Sequence, residues 1–328
     1  MWFKNLSVFR LTKPFSISSD DLHEKLVEQA FEPVTSQEPK SFGWVTPLGK
    51  HGNLLVHTSN GYTMVCAKRQ EKILPAAVIN EKLEEKVSII EQEEARKVAR
   101  KERQNMKDEI TFDLLPRAFA KSSLLFAYIA PEEGLIVVNT SSAKASEDLL
   151  SLLRESIGSL AVIPLTAKNL PMQTMTHWLS SKEVPNHFTL GGECELKELQ
   201  DNGSIKCKEQ DLLSDEIIHH INAGLQVTQL AVQWQEKIEC VIDEKLTIKR
   251  LKFSDLVQEA ANDRQAESMA EQFDVDFTLM TNEIKPFLSE LILALGGEVD
   301  AESYTQEQLV KAEQLESDSR PSMVDELE

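Results

Sequence analysis

Asp274 and Asp276, in the run FDVDF, have the spacing of a divalent metal site if that run is a strand, because residues two apart on a strand share a face. A metal held there would activate water for phosphodiester hydrolysis, the chemistry of a nuclease. No third acidic ligand and no lysine base stands in a recognisable relation to the pair, so a metal site is not expected. His219 and His220 are adjacent in the helical pattern SDEIIHHINAG, where neighbours point about 100° apart and do not readily share a metal. Cys66, Cys194, Cys207 and Cys240 form no CxxC pair and are expected to be small core hydrophobes. The signatures GxGxxG, GxxxxGKS/T, GxSxG and HExxH are missing. No catalytic residue, metal or cofactor is expected.

The basic side chains offer a different chemistry, contact with phosphate. Arg96, Lys97, Arg100, Lys101, Arg103 and Lys107 recur at three- and four-residue steps, interleaved with Glu91, Glu93, Glu94, Glu102, Asp108 and Glu109. Such a run is either a solvated helix stitched by i,i+4 pairs or part of a basic face. Lys68, Arg69 and Lys72 form a second group, and Arg117 and Lys121 flank Phe119 as a third. Lys249, Arg250 and Lys252 form the fourth, with no acid interleaved among them. Four groups on separate elements suffice for sequence-neutral binding if they converge on one face. No helix-turn-helix, zinc finger or base-stacking motif points to sequence-specific reading. Phe119 follows a proline in LLPRAFAKSS, and is either buried locally or exposed as an anchor for a partner subunit.

The elements that position these groups follow from apolar periodicity. FKNLSVFRL reads as a strand, and DDLHEKLVEQA as a short helix with Ser18 and Ser19 as cap candidates. LLVHTSNGYTMVCAKR reads as a hairpin turning at Asn60-Gly61. From Pro75 to Glu109 the apolar spacing Ile79, Leu83, Val87, Ile90 predicts a long helix, apolar at one end and polar all round at the other. Such a helix projects from the body. GLIVVNT is a buried strand, residues 143–157 a helix stopped by Gly158, AVIPL a short strand, and Pro171 opens another helix. Leu230 to Trp234, Ile238 to Ile242 and Leu246 to Ile248 alternate as a meander, and helices are expected at 254–272 and 283–295.

The 328 residues bury a sizeable core, with 41% hydrophobic and 27% charged residues. The net charge of −19 is uneven: residues 1–130 carry +2 and the remainder −21. An acidic total is compatible with a local basic surface, since phosphate contact is a local affair. Nothing at the start has a signal-peptide layout, and no apolar run approaches the roughly 20 residues that span a bilayer. A cytoplasmic location is expected, with no membrane partner.

WFKNLSVFRL, GWVTPLG, EKILPAAVI, LLPRAFAKS, GLIVVNTSSAKASEDLLSLLRESIGSL, LAVQWQEKIECVI, IKRLKFSD and FDVDFTLMT carry a resemblance that runs from residue 1 to Glu298. The chain resembles the RdgC family of bacterial recombination-associated proteins. The resemblance implies an α+β fold of antiparallel sheets with a projecting long-helix arm, two subunits closing into a ring-shaped homodimer. It implies sequence-neutral binding of duplex DNA, with single-stranded DNA as a further possibility, restraint of RecA-promoted recombination, and residence at the nucleoid. The regions would be 1–74 with 120–170 as the centre, 75–119 as the arm and 171–297 as the base. Residues 298–328 would be an acidic, disordered tail beyond the family's usual end. Phe119 would be the arm's dimer contact and Gln210 a candidate for the other interface. Glu209 departs from the pattern, since a basic residue is expected beside Gln210. The rival readings are a metal-dependent nuclease using Asp274 and Asp276, and a protein-only adaptor.

Overall fold

A computed structural model describes residues 1–198, 203–262, 266–304 and 306. Two antiparallel sheets face each other across the main core. The first has seven strands: β1 (Ser7–Leu11), β2 (Lys40–Val45), β3 (Val56–Ser59), β4 (Tyr62–Ile73), β5 (Phe119–Ala130), β6 (Leu135–Val138) and β7 (Val162–Pro164). They lie in the order β2-β4-β5-β6-β1-β7, and β3 and β2 share one edge of β4 end to end. The second sheet has β8 (Phe188–Lys197), β9 (Ser204–Cys207), β10 (Gln226–Trp234), β11 (Ile238–Asp243) and β12 (Ile248–Phe253), in the order β12-β11-β10-β8-β9. The antiparallel α+β class expected from the sequence is what the chain adopts.

Alternation along each strand decides which core it feeds. In β4 and β5, Val65, Ala67, Ala127 and Ile129 pack beneath α1 (Ser19–Val27) and α4 (Ala143–Ile157). Their neighbours Tyr62, Met64, Tyr128 and Ala130 point the other way, into the core shared with the second sheet. That core also takes α5 (Pro171–Ser181), Ile217 of α6 (Asp215–Asn222) and Val257 of α7 (Asp255–Asn262). Its largest helical share comes from α8 (Met269–Ala294), through Phe277, Met280, Ile284, Phe287, Leu288 and Leu291.

The local signals hold where they are strong. Ser18 caps α1 by accepting from the Asp21 amide, and Gly158 ends α4 at φ 84°. Asn60 and Gly61 both take positive φ, the geometry a two-residue hairpin needs. All four cysteines are free and buried, and burial pushes the thiols of Cys66 and Cys194 up to about 12.

Two expectations fail, and one strand goes unmarked in the sequence. The long helix from Pro75 is two helices, α2 (Ala76–Glu94) and α3 (Arg100–Leu114), packed as a hairpin. Ala95 takes the left-handed conformation at φ 51°, which ends α2 and turns the chain back. Ile79, Leu83 and Val87 then meet Met106 and Ile110 in a small core of their own. The expected helices at 254–272 and 283–295 are α7 and a 26-residue α8. FDVDF therefore lies inside a helix, since the three- and four-residue spacing from Phe273 to Leu291 outweighs a five-residue alternation. β2, hidden in a glycine- and proline-punctuated stretch, is also a strand. Its Trp44 is 1% exposed and donates from Nε1 to Ser156 Oγ at 2.9 Å, joining the sheet edge to α4.

The second sheet is fastened to α8 by Glu290. Its carboxylate accepts from Trp234 Nε1 at 2.6 Å and Gln235 Nε2 at 3.3 Å, and lies 3.0 Å from His187 Nδ1. The Trp234 indole, and then His187, hold the Glu290 carboxyl below the usual glutamate range. Glu290→Gln is expected to lower stability by roughly 1 kcal/mol near neutral pH. A lowered carboxyl contributes fully above the ordinary glutamate value and loses that contribution as pH falls through its folded value. The gap between parent and variant should therefore close in acid. Urea unfolding at about pH 7 and about pH 3 measures it, and an equal gap at both would refute the assignment.

Candidate nucleic-acid interface

The second sheet buries one face and leaves the other open. Ile248, Leu251 and Phe253 of β12 turn into the main core, while Lys249, Arg250 and Lys252 turn away from it. Six residues in simple alternation would present three side chains outward, not two successive cations. A bulge makes the difference: Lys249 faces Val241 and Lys252 faces Glu239, so Arg250 and Leu251 together oppose Cys240. Arg250 takes φ 52° there, and the extra residue re-aims its guanidinium onto the open face.

β9 adds cations that the sequence reading passed over. In SIKCK, Ile205 and Cys207 pack inward, which sends Lys206 outward, with Lys208 beside the same groove. The signal was a two-residue alternation too short to stand out beside a charged loop. With Lys197 of β8, this face and its margin carry six basic side chains against the carboxylates of Glu193, Glu195, Glu209, Glu239 and Asp243.

Two of those carboxylates are structural. Asp243 is buried, accepts the amides of Lys245 at 3.0 Å and Thr247 at 2.8 Å, and pairs with Lys249 Nζ at 2.8 Å. Glu195 is buried too, accepts from Gln229 Nε2 at 2.5 Å, and has Lys206 at 3.7 Å and Lys197 at 3.8 Å. Glu193 is more open and meets Arg250 Nη2 at 2.7 Å. Lys208 and Lys252 are exposed and make no ion pair among the described residues.

The other expected phosphate contacts are dispersed. Lys68 lies 4.6 Å from the centre of the Phe31 ring. Arg69 points to the opposite side of β4, pairs with Asp148 at 2.5 Å and Glu71 at 3.7 Å, and covers the Phe42 ring. Lys72 donates to the Leu115 carbonyl at 2.9 Å and fastens the base of the arm. Arg96 stands in the turn between α2 and α3, paired with Glu94 at 2.5 Å and Glu102 at 2.7 Å. Lys97, Arg100 and Lys101 are exposed at that same tip, without an ion pair among the described residues. Arg117 and Lys121 are exposed on either side of Phe119.

Phe119 is 85% exposed, so it is not buried in the local core. It begins β5 directly opposite Ile73, the last residue of β4, which is 49% exposed. α2 and α3 are thus inserted into the β4–β5 hairpin, and Phe119 marks where the arm rejoins the sheet. Gln210 is exposed and its backbone N–H donates to the Gly192 carbonyl at 3.2 Å, so the 208–210 segment runs beside the open face.

A family model described as "Putative exonuclease, RdgC" matches residues 1–298. The chain belongs to the RdgC family. Among curated relatives, the recombination-associated protein RdgC of Yersinia enterocolitica is 46% identical over 299 residues, covering 91% of this chain and 99% of that protein. The RdgC proteins of Yersinia pestis and Yersinia pseudotuberculosis match at the same identity and coverage. The relatives' name ties the family to recombination, and the family model's description carries the word exonuclease. In this RdgC chain, Asp274 and Asp276 do not share a face, because residues two apart on a helix point about 200° apart. Asp274 meets His57 Nε2 at 3.1 Å, whereas Asp276 pairs with the Met1 ammonium and accepts from Gln272 Nε2 at 2.9 Å. Among the described residues no group of three or more His, Cys, Asp or Glu is placed to hold a metal ion. No described helix is long and apolar enough to cross a membrane. Glu298, where the family match ends, pairs with Arg10 at 2.6 Å; of the expected acidic tail, residues 305 and 307–328 lie outside the described residues.

Proposed function

We propose that this RdgC protein binds DNA without reading its sequence, two copies closing into a ring around the duplex, and thereby restrains RecA-promoted recombination. The open face of the five-stranded sheet carries the reading. It is a basic surface assembled from β8, β9 and β12, with a bulge that adds a cation and no base-reading helix. Phosphates are its ligands, with duplex DNA the principal partner and single-stranded DNA a secondary one. The exposed Phe119 on the arm, 75–119, serves one subunit interface and Gln210 the other, an isologous arrangement that closes with two copies. Arg117 and Lys121 flank Phe119 and reach the duplex from the arm's root. The protein works in the cytoplasm at the nucleoid and needs no nucleotide or metal.

An electrophoretic shift on random-sequence duplex across a salt series, without nucleotide or metal, tests this. Affinity should be indifferent to sequence and fall log-linearly with salt. No binding at low salt, for the full chain and for a chain ending at Glu298, would overturn the proposal. The family description favours one second reading, a nuclease. Incubating the same duplex with Mg²⁺ or Mn²⁺ separates the two, since a clamp leaves every strand intact.

A further inference from the structure

Glu193 differs from its neighbours on the open face. Asp243 and Glu195 are buried and fixed by amide donors, so their removal would disturb the sheet itself. The Glu193 side chain is 34% exposed and pairs with Arg250, 54% exposed, at 2.7 Å. Arg250, together with the charges of Lys208 and Lys252, holds the Glu193 carboxyl below the usual range. One carboxylate therefore faces three cations from two edges of the sheet. Immediately before it, β8 carries Gly191, packed against Ala231, and Gly192, beneath Glu209 and Gln210, at a groove of about 310 Å³ lined also by Arg250, Lys252 and Glu239.

We propose that Glu193 is a built-in competitor for phosphate: it occupies Arg250 in the free protein and yields it to a DNA phosphodiester on binding. The inference rests on the DNA-binding reading above. A guanidinium forks equally well onto a carboxylate or a phosphate, so the exchange conserves its hydrogen bonds. Lys208 and Lys252 supply the charge that favours the dianionic neighbourhood of successive phosphates over a single fixed carboxylate. The displaced carboxylate then repels the duplex, and this keeps residence on DNA short of what six cations alone would give.

The test is Glu193→Gln in the full chain, with Arg250→Ala and the double variant, on a fluorescent random duplex of about 30 base pairs. Glu193→Gln should bind roughly fivefold tighter at about 0.15 M salt, with a log–log salt slope steeper by about 1. Arg250→Ala should weaken binding by a similar factor, and the gain from Glu193→Gln should vanish in the Arg250→Ala background. A parent that binds DNA while Glu193→Gln matches it in affinity and slope overturns the inference and leaves the functional reading standing. A gain that persists without Arg250 also overturns it, since that marks a general charge effect. A parent that binds no DNA but captures an acidic peptide such as polyglutamate through Arg250 overturns both.

Discussion

Phe119→Ser is expected to weaken self-association between a hundredfold and ten-thousandfold while leaving the folding of each subunit unchanged. Burying a phenylalanine contributes about 1.5–3 kcal/mol, and an isologous contact loses it twice, for roughly 3 to 6 kcal/mol. The side chain is almost fully exposed in the single chain, so it contributes little to intrachain packing. Ile73 across the register extends the apolar surface, and the flanking Arg117 and Lys121 give it the polar rim typical of an anchor. Sedimentation equilibrium reads the association and a thermal melt reads the fold. Unchanged association would refute Phe119 as the contact; a lowered melting temperature would place it in the subunit's own core.

The joint variant Lys206→Ala, Lys208→Ala, Lys252→Ala should lose about a hundredfold in duplex affinity at about 0.15 M salt, and its salt slope should flatten by about 3. These three side chains are exposed and are not the sole partner of a buried carboxylate, since Glu195 keeps Gln229 and Lys197 when Lys206 is removed. Lys249 is left out for the opposite reason: its loss strands the buried Asp243. Arg69 and Arg96 serve as controls, because each is already engaged with carboxylates of its own chain. If replacing the three lysines leaves the slope unchanged, the open face is not where phosphates bind.

The features legible in the sequence are those decided within a turn or two of chain. Asn60-Gly61, the Ser18 cap, the Gly158 stop and the inward stripe of α4 are all of this kind. The β10–β12 meander was equally plain. What escaped depends on partners far away. Asp148 is 79 residues from Arg69, and Glu193 is 57 from Arg250, so a basic triplet that looks uncompensated in sequence is partly neutralised in space. The Arg250 bulge is set by register against β11 and leaves no mark in IKRLKF. The arm misled because Met106 and Ile110 are sparse among charges, and their stripe gains meaning only against α2. FDVDF misled because a short alternation was read without the long helical period around it.

The insertion of the arm into the β4–β5 hairpin also has a mechanical side. Both legs of the arm root in neighbouring strands that close at Ile73 and Phe119, so a pull on the arm's tip tugs β4 and β5 in the same direction. The two strands do not slide past each other. The strain passes instead to the outer ladders, Lys40–Val45 against Cys66–Glu71 on one side and Leu135–Val138 against Ala127–Ala130 on the other. Their hydrogen bonds lie across the line of force, so they resist in shear and must give way together rather than unzip singly. In the proposed ring, a subunit pulled by its arm should therefore part at the contact between copies before its own sheet yields.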